Sequence, residues 1–359
     1  MAEGTNGDVG KVMGVGVQQP KASPMARTSP TPPKPPGVGL GGGQKGPLFP
    51  PPEFKGEPAP SIIPPDVRHF IVATGFFGSG KSTFVAGIDH PSNTLLLDFE
   101  AKGDGLATQL GIQNYFAPPL DVAGVLGFDY KPVHLFDRTR QIIEAIPSGR
   151  FTTLIIDGLT FFQAGAVEKV KMAPQNYGVD PSSAQSGRFG GAYPGVRHIL
   201  NALSSIARSK GVKVIGITTE LGAKWGEKGP IINKFEMKGV STLPQMSVLN
   251  VVMVKGYPKY NGAPSAIVLK DALGESKWVD GVGVSSRRRL PPKIAKGSMA
   301  EVYRYLREPA DYGNLKPEEI PTEEELDFYT PTISRAQLNS LRELLAVARL
   351  TAAEEGAEE

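Results

Sequence analysis

Residues 68–83 read Arg68-His69-Phe70-Ile71-Val72-Ala73-Thr74-Gly75-Phe76-Phe77-Gly78-Ser79-Gly80-Lys81-Ser82-Thr83. The apolar run Phe70 to Thr74 leads into a complete G-x-x-x-x-G-K-S pattern from Gly75 to Ser82, and a proline-free stretch follows to Ile88. Strand, glycine-rich turn and helix start, in that order, are the context in which this pattern cradles the phosphates of a nucleoside triphosphate. Gly75, Gly78 and Gly80 permit turns that aim amides at phosphate oxygens, and the following helix adds the positive end of its dipole. Lys81 supplies a mobile charge for the β- and γ-phosphates, and the Ser82 hydroxyl suits Mg²⁺. The expected nucleotide contact is the whole stretch, with Phe76, Phe77, Ser79 and Thr83 between and after these groups. The bland alternative is a glycine-rich turn that happens to carry Lys-Ser-Thr.

The next elements follow in a regular order. Thr94-Leu95-Leu96-Leu97-Asp98-Phe99-Glu100 and Phe151-Thr152-Thr153-Leu154-Ile155-Ile156-Asp157 are apolar runs ending in acids, and Val212 to Thr219 is a further strand, ending in two threonines. Helical spacing marks 134–146, 159–172 and 194–209, a polar Gly/Ser/Pro loop is expected over 173–191, and 248–254 and 265–269 supply two more strands. Continuously apolar strands alternating with helices predict an α/β fold, a mainly parallel sheet covered on both faces. In such sheets ligands gather at the carboxyl ends of the strands, where Glu100, Asp157 and Thr219 fall.

A triphosphate site needs a second acid near Mg²⁺, on a strand beside the phosphate loop, and Asp157 is the best candidate. Hydrolysis also needs a group that activates or positions water. Glu100 stands at the strand exit; Asp98, which alternation turns the same way, is the competing choice.

The 359 residues favour one compact domain with two atypical ends. Residues 1–65 hold 15 of the 33 prolines and 12 of the 43 glycines, which predicts a disordered or polyproline-like arm. Residues 66–310 form the expected core domain, and 311–359 an acidic tail. From 318 onward 11 Asp and Glu face three Arg, a net charge of −8, so the total of +3 leaves +11 on residues 1–317. A basic body with an acidic tail suits a polyanion partner; ordinary solvated surface charge is the alternative. Within the tail, Leu338, Leu341, Leu344, Leu345 and Val347 have near-helical spacing behind Ser334, a face for docking on the body or on another protein. There is no cysteine, His69, His90, His134 and His198 lack ligand spacing, and no apolar run approaches a membrane span. These features predict a cytoplasmic protein without membrane association.

In combination, Gly75 to Thr83, the Leu97-Asp98-Phe99-Glu100 strand end, Ile155-Ile156-Asp157-Gly158-Leu159-Thr160 and Ile217-Thr218-Thr219-Glu220 resemble, in order, the RecA-like recombinase ATPase core. More narrowly the chain is similar to the short phage-encoded RecA-like ATPases linked to single-strand annealing, the phage nucleotide-binding proteins. The segment Met237 to Gln245 leading into 248–254 shares that likeness, which spans residues 66–307. The resemblance implies ATP as the nucleotide, Glu100 as the catalytic glutamate, Asp157 on the Mg²⁺ side, a homo-oligomer, and the host cytoplasm if the gene is a phage's. It places Thr218 and Thr219 where the family carries a polar γ-phosphate sensor, commonly an amide.

The same resemblance directs two loops toward DNA. Leu221 to Lys238, a mobile-looking stretch, carries Lys224, Trp225, Lys228, Lys234 and Phe235, charges for phosphates beside rings for stacking on single-stranded DNA. A solvated loop with tucked aromatics fits the same residues. Arg188 beside Phe189 is a weaker hint, and Arg287, Arg288 and Arg289 form a basic cluster suited to gripping phosphates or to reaching a neighbouring subunit's ATP. Asn233-Lys234-Phe235-Glu236 only faintly resembles a guanine-reading motif, since no apolar strand precedes it. The rival functions are a phosphotransferase for a small acceptor and a nucleotide-dependent scaffold without hydrolysis.

Overall fold

The computed structural model describes residues 48–63, 67–102, 104–127, 129–185, 190–226, 229–238, 243–254, 264–273, 277–279, 282–284, 290–295, 297–311 and 314–322, with isolated positions beyond, all within the compact unit Lys45–Glu359. In chain order its elements are β1 (His69–Gly75), α1 (Lys81–Ala86), β2 (Thr94–Asp98), α2 (Asp104–Leu110), β3 (Asn114–Phe116), α3 (Pro118–Leu126), α4 (Pro132–Ala145), β4 (Thr153–Asp157), α5 (Leu159–Met172) and α6 (Pro181–Gln185). Then come α7 (Tyr193–Ser209), β5 (Val214–Gly226), β6 (Gly229–Met237), α8 (Leu243–Met246), β7 (Leu249–Val254), β8 (Ser265–Asp271), β9 (Lys277–Val279), β10 (Val282–Val284), β11 (Lys293–Ile294) and α9 (Met299–Arg307).

The main sheet runs β11-β8-β7-β1-β5-β4-β2-β3, with β6 attached to β5. From β7 to β3 all pairs are parallel, while β8, β11 and β6 add antiparallel edges. The apolar runs are explained by burial on two faces. Phe70, Val72, Leu95, Leu97, Leu154, Ile156, Ile215 and Ile217 pack with side chains of α4, α5 and α7. The alternate residues Ile71, Ala73, Leu96, Ile155 and Val214 pack with those of α1 and α9. A parallel sheet covered this way has no polar face to alternate with.

Several boundaries differ from expectation. The helix predicted to reach Ile88 ends at Ala86, where the Gly87 amide closes on the Thr83 carbonyl and Ile88 turns back to Val85. The 173–191 loop contains 3-10 turns at Pro174–Tyr177 and Gly190–Ala192, with α6 between them. The stretch 221–238 is not a loop among its described residues. β5 runs on past Thr219 and pairs with β6 as an antiparallel hairpin, Leu221 opposite Met237 and Gly226 opposite Gly229, with an irregularity between Ala223 and Trp225.

Both domain edges move outward. Residues 48–63 are a packed strap: Phe49 and Ile63 are buried, Phe54 meets Phe116 and Phe151 edge-on, and the Pro50 carbonyl accepts from Arg138 at 2.7 Å. Specific partners along the body, which composition does not disclose, supply the burial that a Pro-rich segment otherwise lacks. At the other end Ile320 is buried, Glu319 accepts from the Tyr305 hydroxyl, and Glu325 pairs with Lys293 at 2.8 Å. Residues 1–47 and the Leu338–Val347 helical pattern lie outside the described residues, apart from isolated positions.

Candidate functional site

The β1–α1 loop owes its shape to three glycines with two different duties. Gly78 and Gly80 take φ of 74° and 90°, the left-handed region where a side chain is strained. Gly75 does not. It is needed because a Cβ there would come within 2.4 Å of Ser79 Oγ and 3.0 Å of the Met253 carbonyl. The Ser79 amide donates to the Phe76 carbonyl at 3.1 Å, and Lys81 Nζ donates to the same carbonyl at 2.8 Å, so the loop closes around its own lysine. Burial pushes the Lys81 ammonium below the usual lysine range, and the negative charges of Glu100, Asp157 and Glu220 oppose that shift without cancelling it. Ser79, Lys81 and Ser82 are buried; Phe76 is half-buried, while Phe77, at 78 % exposure, and Thr83 face outward.

The acid strand expected beside the Gly75–Ser82 loop is β4, and in the sheet it stands two places from β1, with β5 between them. The gap is bridged by α1, which packs on β1, β5 and β4 and carries Ser82 across to Asp157. Ser82 Oγ lies 2.9 and 2.8 Å from the two Asp157 carboxylate oxygens. Asp157 has no exposed surface, and it is braced from behind by the Thr218 hydroxyl.

Asp98 and Asp157 are register partners on β2 and β4, and the structure separates their duties. Asp98 accepts from the backbone amides of Glu100 at 2.9 Å and Lys102 at 2.8 Å, and from the Tyr115 hydroxyl at 3.0 Å. These three bonds hold the chain that leaves β2. Burial, joined by the charge of Asp157, holds the Asp98 carboxyl above the usual carboxylate range. The chain it holds includes Ala101 with φ of 50°, a left-handed conformation uncommon without glycine. That turn brings Glu100 over the start of α5. Gly158 makes the approach possible: a Cβ there would stand 2.7 Å from Glu100 Cγ.

The residue that sequence reasoning missed is Lys102. Its Nζ lies 2.9 Å from Glu100 Oε2, 3.0 Å from Asp157 Oδ2 and 3.2 Å from Ser82 Oγ. Burial alone would lower its pKa, but the carboxylates of Asp157 and Glu100 outweigh burial and raise it. Tyr115 was also unforeseen, and Glu220, quoted at a strand end, was given no role. No residue pattern announces Lys102 or Tyr115, because each meets its partners across strands.

The expected sensor pair has other duties. Thr218 Oγ1 donates to Asp157 and accepts from the Gly158 amide at 2.9 Å, and Thr219 Oγ1 donates to the Lys238 carbonyl. Both hydroxyls are buried and engaged within the protein, so neither presents a free polar tip. Lys224 and Trp225 lie on β5, Lys234 and Phe235 on β6. Lys228, Arg188, Phe189 and Arg287 to Arg289 lie outside the described residues.

The loop, Ser82, Glu100, Lys102 and Asp157 thus meet at the carboxyl ends of β1, β2 and β4, as the sequence pattern predicted for all but Lys102. Comparison with protein-family models finds no match to the chain, and comparison with curated proteins finds none. Among the described residues no helix is long and apolar enough to cross a membrane.

Proposed function

We propose that this protein is an ATPase of RecA-like fold that binds ATP with Mg²⁺ at the Gly75–Ser82 loop and couples hydrolysis to a grip on single-stranded DNA, as a homo-oligomer serving annealing or recombination. The observation that carries the reading is the bond from Ser82, the last residue of the loop pattern, to the buried Asp157 on a strand two places away. A decorative glycine turn has no reason to reach across a sheet for an acid.

The donor set suits Mg²⁺, a hard cation that takes oxygen ligands from one or two carboxylates, with phosphates and water completing the shell. Ser82 Oγ and Asp157 are such donors, and a cationic group, the Lys102 ammonium, is already held by them. Among the described residues no three His, Asp or Glu side chains form an all-protein metal cage. Ser82 and Asp157 would hold the ion, which when bound neutralises charge developing on the phosphates. Loop amides and Lys81 bind and orient the triphosphate. Glu100, laid against Gly158, positions water and accepts its proton. Asp98 fixes the strand exit that carries Glu100.

Support for the DNA half comes from the hairpin. β5 and β6 extend beyond the carboxyl end of the sheet, from the strand that braces Asp157, and carry two lysines with Trp225 and Phe235. A lysine–aromatic arm suits backbone contacts with base stacking.

The test measures ATP turnover and the anisotropy of single-stranded oligonucleotides at low salt, with and without ATP and Mg²⁺. Wild type is expected to bind and turn over, and Lys81→Ala to lose turnover by about 10²-fold or more while keeping its circular dichroism spectrum. Turnover that survives in the variant rejects the loop assignment. ADP release that depends on a small acceptor and ignores DNA selects the phosphotransferase instead.

A further inference from the structure

Lys102 does more than neutralise two acids. Its ammonium is bonded to Ser82 Oγ, Asp157 Oδ2 and Glu100 Oε2, the first two of which are the donors assigned above to the divalent cation. We propose that Lys102 is a tethered stand-in cation that holds the Ser82–Asp157–Glu100 seat until a divalent ion displaces it, and so sets the threshold for metal loading. The inference deepens the nucleotide reading and rests on it only for the identity of the displacing ion.

Three features support a tethered competitor over an ordinary ion pair. First, the ammonium is bonded to three oxygens of three separate elements, α1, β4 and the β2 exit, which is how a cation is held rather than how a surface pair forms. Second, Asp157 is fully buried and Glu100 nearly so, with side-chain exposures of 0 % and 12 %, whereas Lys102 keeps 24 %. Asp157 is held in addition by Ser82 and Thr218, and the lysine, the most exposed of the three, has an open side through which to leave. Third, the lysine backbone stays behind when its head moves, because Asp98 holds the Lys102 amide at 2.8 Å beyond the left-handed Ala101. The released ammonium therefore remains beside the site, within reach of whatever anion the metal brings.

Two cations cannot share these oxygens. Mg²⁺ draws its ligands to about 2.0–2.1 Å, closer than an ammonium held at hydrogen-bond distance allows, and like charges this near repel strongly in a partly buried setting. Emptying the seat of Lys102 leaves a hydroxyl and two carboxylates facing one another, with the Lys81 charge acting on them but no ion pair in its place. That arrangement should capture a divalent ion with no nucleotide present.

The experiment uses full-length protein, without nucleotide, and Mn²⁺ as the probe. Mn²⁺ binding is followed by the loss of the free-ion electron paramagnetic resonance signal, for wild type, Lys102→Met and Lys102→Arg. Lys102→Met is expected to bind at least about tenfold more tightly than wild type and to gain more thermal stability from Mn²⁺, because a repelling charge is gone. Lys102→Arg should stay near wild type. Equal affinity in folded wild type and Lys102→Met overturns the proposal. Should Lys102→Met not fold, amine labelling of Lys102 in wild type, read by mass spectrometry, takes its place: labelling must rise when Mn²⁺ saturates, and unchanged labelling overturns the proposal. If Lys102→Met gains Mn²⁺ while neither protein binds a triphosphate, the exchange stands and the nucleotide reading falls. If both proteins bind triphosphate and take up Mn²⁺ equally, the reverse holds.

Discussion

The two ends of the sheet solve the burial of acids in opposite ways. At the amino ends of β2 and β4, the buried Asp89 is held by neutral groups: it accepts from Ser61 Oγ at 2.7 Å, the Ile62 amide at 3.0 Å, Asn93 Nδ2 at 3.3 Å and the Thr152 hydroxyl. Asn93 in turn exchanges bonds with the Ala59 backbone at 2.8 and 2.9 Å. Together they fasten the strap to the sheet in a single arrangement. At the carboxyl ends Asp157 meets the Ser82 and Thr218 hydroxyls and a charged partner, Lys102, which keeps an open side. Neutral bonds mark the end that fastens the strap; acids balanced by a lysine charge mark the end where the proposed chemistry is placed.

The sharpest way to break this contrast is Asp157→Ala: on the function proposed above it should reduce ATP turnover by about 10²-fold or more, since it removes the group that holds Ser82 and that would hold the metal ion. Unchanged kcat would place the chemistry elsewhere. Asp89→Ala should do the reverse, costing about 2–4 kcal/mol in urea unfolding because several buried donors lose their acceptor, while turnover per folded molecule stays the same. Asp98→Asn falls between the two, because an amide offers one acceptor oxygen to two backbone amides. About 1–3 kcal/mol of stability should go, together with part of kcat as Glu100 loses its anchor.

A pH series sharpens the amino-end half of the contrast. Burial would raise the Asp89 carboxyl, but the Thr152 and Ser61 hydroxyls and the Ile62 and His90 amides outweigh it and hold it below the usual range. A depressed folded pKa means stability that is fully present above the unfolded carboxylate value and disappears as pH falls through the folded one. The stability gap between wild type and Asp89→Asn should therefore be widest near neutrality and shrink in acid. A gap that widens in acid would show that Asp89 is not the stabilised carboxylate described.

The sequence was a good guide where chemistry and local pattern coincide. The double-sided burial of Leu95-Leu96-Leu97 and Leu154-Ile155-Ile156, the Gly75–Ser82 loop and the acids at 100 and 157 all announce themselves within a few residues. It failed where meaning depends on distant partners. The strap looked like a disordered arm because Asp89 and Asn93, which capture it, lie 27 to 34 residues away. Nothing in the sequence singles out Lys102, whose amide, two residues past Glu100, is held by Asp98. The hairpin was hidden by Gly222 and Gly226, which read as loop yet sit within paired strands.

Neighbouring residues on β5 divide two loyalties. Thr218 points to one side and steadies the Asp157 carboxylate; Thr219 points to the other and clamps the returning chain at Lys238, where Glu220 adds an ion pair of 3.0 Å. The arm and the acid are thus yoked through a single peptide unit. A load applied to the hairpin has almost no slack to take up before it is felt at the carboxylate.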